Sequence, residues 1–251
     1  MTIDMPKPAD IPALRNLWQE AFGDDDTFLD AFFQIGYSPR RCRRILFDGR
    51  LAAALYWFDC ALEDKKLAYI YAVATDKAFR GRGLCRRLME DTHLHLGQLG
   101  YGGAVLVPGN KKLFSLYEKL GYQSFCPMEA VTVKAAKTAS GLTKLTADAF
   151  GEKRAQRLRA GSVLQEGQTL SFLSAFASFY ESGDNLFCVS EEDKKAFFQE
   201  YLGQAADLPG ILAALGVTEG TVRIAGKEDY AMYHCLDGHT PTPAYFGIPL
   251  N

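Results

Sequence analysis

Leu14, Leu17, Trp18, Ala21 and Phe22 recur at helical spacing behind Asp10 and Pro12, residues suited to a cap and a first turn. The stripe predicts a helix that ends at the acidic run Asp24-Asp25-Asp26. A second short helix, Phe28 to Ile35, stops near Pro39. The period then changes. Arg43 to Phe47 and Leu51 to Asp59 read as strands joined at Asp48-Gly49, a pair that accepts positive φ in a tight hairpin. Glu63-Asp64-Lys65-Lys66 is a polar turn, and Leu67 to Thr75, rich in Tyr, Ile and Val, is a third strand. Past a glycine- and arginine-rich turn, a helix runs from Gly83 to about Leu96, with Gly97 and Gly100 at its end. A strand at Ala104 to Val107, a helix at Lys111 to Leu120 closed by Gly121, and strands at Tyr122 to Phe125 and Ala130 to Ala135 follow.

After Ala136 the texture changes. Lys137-Thr-Ala-Ser-Gly141 reads as a linker. Beyond it, helices are predicted over Ala147 to Arg159, Thr169 to Tyr180 and Glu191 to Leu202. A short strand is predicted at Phe187 to Val189, with late strands near Thr221 to Ile224, Tyr230 to Leu236 and Ala244 to Ile248. This gives an α/β chain with a mixed sheet, divided into domains 1–136 and 142–251. No repeat relates the two parts.

Composition narrows the function classes. The 251 residues are 48% hydrophobic and 23% charged, as in an ordinary globular protein, and the net charge of -2 gives no global attraction to nucleic acid or anionic membrane. No apolar run approaches the roughly 20 residues that span a bilayer. The first residues lack the basic and apolar regions of a signal peptide. The six cysteines are scattered without a C-x-x-C pair, which predicts reduced thiols and a cytoplasmic location. His93 and His95 are two apart and face different ways on a helix, so no metal site is expected.

The chemistry concentrates between Tyr71 and Met89. An apolar strand enters Arg80-Gly81-Arg82-Gly83-Leu84-Cys85, and this turn opens onto an amphipathic helix. The first N–H groups of a helix lack intrahelical partners and point along the positive end of its dipole. Glycines let such a backbone approach a phosphate closely. A P-loop is excluded, because no Gly-Lys-Ser/Thr follows the glycines, and so is a dinucleotide-binding turn, because Arg86 stands where its third glycine belongs.

The turn resembles the pyrophosphate loop of the GNAT superfamily of acyl-CoA-dependent N-acyltransferases. That loop has Arg or Gln, two residues, Gly, one residue, then Gly or Ala. Arg80 and Gly83 match; Cys85 replaces the usual Gly or Ala, and Lys77 stands where proline is common. Asn110, followed after six residues by Tyr117 and then by Gly121-Tyr122, is similar to the family's later segment. The resemblance covers about residues 1–135. It implies a GNAT fold there, with a smaller, degenerate GNAT-like C-terminal half, similar in layout to tandem proteins of the enhanced-intracellular-survival type. That half lacks the loop, so one cofactor site per chain is expected.

The resemblance also implies roles. The backbone of Val73, Ala74 and Thr75 would pair with the pantetheine arm of acetyl-CoA. Arg80, Gly81, Arg82, Gly83, Leu84 and Cys85 would hold the pyrophosphate, with Lys77, Arg86 and Arg87 adding charge. Asn110 would hydrogen-bond the cofactor arm, and Tyr117 would protonate or hydrogen-bond the leaving sulfur. Some family members carry a glutamate where Tyr69 stands. Alternation along the strand puts Tyr69, Tyr71, Val73 and Thr75 on one face, which offers hydroxyls and no carboxylate. A base must then come from Glu63, Asp59, Glu129, a chain of waters or the terminal carboxylate of Asn251.

Tyr69 and Tyr71 are candidate acceptor contacts, and the Asp24-Asp25-Asp26 run offers charge to a cation, though acidic helix ends commonly just face solvent. The expected reaction is acetyl transfer to a primary amine on a small molecule or peptide. The rival is a non-catalytic acyl-CoA-binding regulatory module. Neither nucleic acid nor membrane is expected as a partner, and a homo-oligomer is left open.

Overall fold

The computed structural model describes residues 1–250. The chain forms two compact units, Met1–Gln123 with Met232–Thr242, and Ser124–Ala231 with Pro243–Asn251.

The first unit begins with β1 (Thr2–Asp4), α1 (Ile11–Phe22), α2 (Asp26–Ala31), β2 (Cys42–Phe47), β3 (Arg50–Leu62) and β4 (Lys65–Thr75). It continues with α3 (Leu84–Gln98), β5 (Gly103–Leu106), α4 (Lys111–Glu118) and β6 (Gln123–Phe125), the last spanning the boundary between units. The apolar stripe of α1 buries Leu14, Leu17 and Trp18. Asp10 precedes α1 without capping it. Its carboxylate instead accepts from the backbone N–H of Lys7 and pairs with the buried Arg44 guanidinium, which also binds Asp4 at 2.9 Å. The second predicted helix stops sooner, at Ala31, and gives way to a π turn over Phe32–Gly36. The strands β2 and β3 join at Asp48-Gly49, both with positive φ, as the hairpin signal requires.

One detail of β4 overturns the predicted sharing of a face. Opposite β3, Tyr71 pairs with Tyr56 and Ala74 with Ala54. Two residues, Ala72 and Val73, therefore face Leu55 alone, and Ala72 takes φ 48°. This bulge reverses the alternation. Tyr69 and Tyr71 point toward α1, where Tyr71 lies 5.6 Å from Trp18 and 6.0 Å from Tyr69 between ring centroids. Val73 packs instead in the core beneath α3, with Ile70, Leu84, Leu88 and Leu106.

The second unit contains β7 (Met128–Lys134), β8 (Thr143–Leu145), α5 (Ala147–Arg157), β9 (Val163–Gln165), α6 (Gln168–Leu173), β10 (Ser178–Ser182), β11 (Asn185–Glu192), β12 (Lys195–Leu202), α7 (Leu208–Leu215) and β13 (Glu219–Ala225). Its sheet runs β7-β13-β12-β11-β10-β8. Here sequence and structure diverge most. The helix predicted over Glu191 to Leu202 is the end of β11, a turn and all of β12, with Asp193 and Lys194 at φ 48° and 59°. The helix predicted to Tyr180 ends at Leu173 and gives way to β10. The strand predicted at Ala244 to Ile248 is irregular apart from one bridge, between Ser162 and Tyr245.

The final strand, β14 (Ala231–Cys235), returns to pair antiparallel with β5, Met232 opposite Leu106 and Cys235 opposite Gly103. The sheet of the first unit thus runs β1-β2-β3-β4-β5-β14. The second unit begins at Ser124 rather than after the 137–141 stretch, because β7 pairs along its whole length with β13. Partners so distant leave no mark in local composition.

Candidate active site

The strands β4 and β5 run parallel and are paired only from Leu67 opposite Gly103 to Tyr69 opposite Val105. Beyond Tyr69, β4 continues alone on that side for six more residues to Thr75, while β5 ends at Leu106. The two strands part there. The backbone of Val73, Ala74 and Thr75 lies on this departing stretch, the kind of edge to which an extended ligand adds as a strand.

A short turn over Lys77–Phe79 follows, capped by Asp76, whose carboxylate accepts from the Ala78 N–H at 2.7 Å. Phe79 anchors the turn in the core. Gly81 and Gly83 adopt φ 74° and 72°, a left-handed backbone that side chains resist. Gly83 occupies the N-cap of the 15-residue α3 and supplies no side-chain cap, so the first N–H groups of the helix keep their donor capacity. A Cβ built on either glycine meets nothing within 4 Å. The turn is therefore left-handed, open and lined with helix-start donors, which fits a pyrophosphate.

The basic side chains are less free than their number suggests. Arg80 donates through Nε to the Thr75 carbonyl at 3.0 Å and braces the turn. The Arg82 guanidinium lies over the rings of Phe47 and Phe79, at 5.6 and 5.5 Å from their centroids. Lys77 pairs with Glu20 at 3.9 Å. The Leu84 side chain is buried, and Cys85 packs against the same core as Val73 and Tyr117.

Asn110 caps α4, its Oδ1 accepting from the Lys112 N–H at 3.1 Å, and its amide N–H group takes no part in that cap. Tyr117, on α4, is buried, and its hydroxyl is pushed above its ordinary pKa by burial and then by Cys85. Val73, Leu84, Cys85 and Tyr117 thus belong to one core, whereas Tyr69 and Tyr71 lie on the opposite face of β4.

The carboxylates named as bases are poorly suited to the task. Asp59 is held by Arg41 at 3.1 Å, by Lys66 at 3.7 Å and by the Tyr101 hydroxyl. Glu63 is at the β3–β4 turn, six residues and so roughly 20 Å of strand from Tyr69. Glu129 belongs to the second unit, and Asn251 lies outside the described residues.

Two clusters take on partners that spacing along the chain does not assign. His93 stacks on His234 at 4.5 Å between ring centroids, and its Nε2 is 2.9 Å from the Tyr122 hydroxyl. Burial, then His234, lowers the His93 pKa to about 3. Only the pairing of β14 with β5 brings His234 there. The second cluster is the acidic run, whose members have separate tasks. Asp25 caps α2 through the Phe28 N–H, Asp26 engages Arg15 and Gln19, and Asp24 accepts from the Trp18 indole N–H at 2.7 Å. Among the described residues no group of three or more His, Cys, Asp or Glu side chains could hold a metal, and no helix is long and apolar enough to cross a membrane.

The parting pair of parallel strands and the left-handed glycine turn leading into a helix all lie in the first unit. A family model described as an acetyltransferase (GNAT) domain matches residues 2–125, and this half of the chain belongs to that family. Over its length the chain is similar in fold to a GCN5-related N-acetyltransferase from Anabaena variabilis, with TM-score 0.75, 14% identity, and 94% of this chain and 72% of that one covered. It is also similar to Eis1 from Mycobacterium abscessus (TM-score 0.68, 11% identity, 95% and 74% covered). A putative acetyltransferase from Pyrococcus horikoshii matches with TM-score 0.69 and 13% identity, covering 98% and 91%. No curated protein matches the chain in sequence. The family's chemistry is acyl transfer.

Proposed function

We propose that the chain is an N-acetyltransferase that moves the acetyl group of acetyl-CoA to a primary amine. The observation that carries this reading is the open left-handed turn at Gly81 and Gly83, set at the start of α3 and reached directly from the lone stretch of β4. Acetyl-CoA supplies an activated thioester. The backbone N–H groups from Gly81 to Arg86 would hold its pyrophosphate, the β4 edge at Val73 to Thr75 its pantetheine arm, and the Asn110 amide a carbonyl of that arm.

In the overall reaction a C–N bond forms, the C–S bond breaks, and the proton lost by the amine balances the one gained by the thiolate. Tyr117 suits a hydrogen bond to the leaving sulfur, with the thiolate's proton coming from water. Its hydroxyl remains protonated across the neutral range, because burial and Cys85 raise its pKa. With Asp59 engaged and Glu63 remote, the amine's proton leaves through water or the acceptor's own basicity. The absence of a carboxylate at Tyr69 favours the second reading, a regulatory module that binds acyl-CoA without transfer. The first unit would carry the cofactor in a cytoplasmic protein, and the second unit would act as a degenerate, accessory half.

The test is incubation with acetyl-CoA and a panel of polyamines, aminoglycosides and peptides. Equal amounts of free CoA thiol and acetylated amine are expected. Tight CoA binding with no transfer to any amine would overturn the enzyme reading in favour of the module.

A further inference from the structure

In the second unit, β11, β12 and β13 turn one face to α7. Val189, Ala196, Phe198 and Val222 pack there with Leu208, Ile211 and Leu212. Alternation turns Ser190, Phe197 and Thr221 the other way, and the register sets them in one row, Ser190 opposite Phe197 and Phe197 opposite Thr221. The Phe197 ring at the centre of this row is 40% exposed. A cavity of about 290 Å³ opens over it, lined by the row together with Glu192, Gln199 and Arg223. Small-molecule sites begin at about 300 Å³, so the space suits a small ligand. Gln199 is the extra residue of a bulge, since Cys188 pairs with Glu200 and Val189 with Phe198. Bulges re-aim side chains, and this one sets the buried Gln199 in the cavity wall.

The charges of the cavity form a dipole. Nearby, Lys195 and Glu219 neutralise each other at 2.9 Å. Glu192 and Arg223 are exposed and make no ion pair among the described residues. The Arg223 guanidinium is steadied by the Tyr230 ring, 5.6 Å from its centroid. Relative to β12, β11 runs antiparallel and β13 parallel. Two residues beyond the central row therefore carry Glu192 to one end of the cavity and Arg223 to the other. Four residue steps along the strands and two strand spacings across them separate their Cα atoms by roughly 17 Å. With both side chains turned into the cavity, roughly 7 Å remains between the charges, the span of two residues of extended chain.

We propose that this cavity binds a short zwitterion of dipeptide length, its ammonium group on Glu192 and its carboxylate on Arg223. The Ser190 and Thr221 hydroxyls would hydrogen-bond the peptide group, and the Phe197 ring would carry an apolar side chain of the ligand. The site belongs to the second unit, whereas the glycine turn belongs to the first, and the inference does not depend on acetyl transfer.

The test is calorimetric titration of alanyl-phenylalanine, its N-acetyl form and its C-terminal amide into the wild-type chain, Glu192→Gln and Arg223→Gln. Both positions are exposed, so the variants should melt with the wild type. The wild type should bind the free dipeptide at one equivalent per chain, and each capped form about five- to tenfold more weakly. Arg223→Gln should bind the free dipeptide and its amide alike while still disfavouring the acetylated form, and Glu192→Gln should do the reverse. Free phenylalanine, whose charges are too close together to reach both ends, should bind the wild type no tighter than either capped dipeptide. No saturable binding of the dipeptide, or the same preferences in all three proteins, would overturn the proposal. No acetyl-CoA is added, so failure here leaves the enzyme reading intact.

Discussion

Replacing Gly83 with alanine separates the backbone penalty of the turn from its role as a cradle. Gly83 sits at φ 72°, and nothing lies within 4 Å of a Cβ built there. The unliganded protein therefore meets no clash, only the left-handed backbone, which costs a side chain about 1–2 kcal/mol. Part of this is offset by the smaller entropy of the unfolded chain, about 0.4–1 kcal/mol. A net loss near 1 kcal/mol lowers the melting temperature of a chain this size by about 2–4 °C. Gly100 supplies the matched control. It has φ 79°, also with nothing within 4 Å, but it follows the far end of the 15-residue α3, about 22 Å away along the helix. Gly83→Ala and Gly100→Ala should therefore melt alike. They should differ in CoA affinity, because the Gly83 methyl enters the space that the phosphates need. Loss of one charge-assisted N–H hydrogen bond, about 1.5–3 kcal/mol, weakens binding roughly ten- to hundredfold. Calorimetric titration with CoA reads this directly. Equal CoA affinities for the two variants would refute the placement of the cradle.

Tyr117→Phe should lower kcat while CoA affinity stays near the wild-type value, and the wild-type rate should show no titration of this hydroxyl below pH 10, since burial and Cys85 hold its pKa above that; unchanged turnover in the variant would remove its role at the leaving sulfur. In the second unit, Arg154 and Glu200 are fully buried and joined at 2.6 and 3.0 Å, with Gln165 and Tyr245 completing the network. Glu200→Gln should destabilise the protein by about 3–5 kcal/mol in denaturant unfolding, and the apolar double change Arg154→Met with Glu200→Leu should recover most of that; a single variant as stable as the wild type would show that the pair is not desolvated. The His93 pKa falls from 6.5 to about 3 on folding, so the neutral ring is the stable native form. Its contribution is complete above pH 6.5 and is lost as pH falls toward 3, so His93→Gln should flatten the acid side of the stability curve; an identical acid slope in the variant would count against this.

The strand, turn and helix around Gly81 and Gly83 were more legible in the sequence than the rest of the architecture. The strand, the glycine turn and α3 are contiguous, and each obeys a local rule: β-branched and aromatic residues, left-handed glycines, an amphipathic stripe. The bulge at Ala72 was illegible, because no glycine marks it, and it reversed the face of Val73. The Glu191 to Leu202 segment is rich in helix formers, yet Ala196 and Phe198 are buried in a sheet by partners on β11 and β13. Tertiary pairing overrode local preference there. The separate tasks of Asp24, Asp25 and Asp26 depend on Trp18, Phe28 and Arg15, which spacing alone does not assign.

The most direct test of the central claim is a CoA titration of the wild type against Gly83→Asp, followed by calorimetry. The account predicts saturable binding at one equivalent per chain, abolished in the variant by a carboxylate set among the phosphates. Binding of undiminished strength in Gly83→Asp would contradict it.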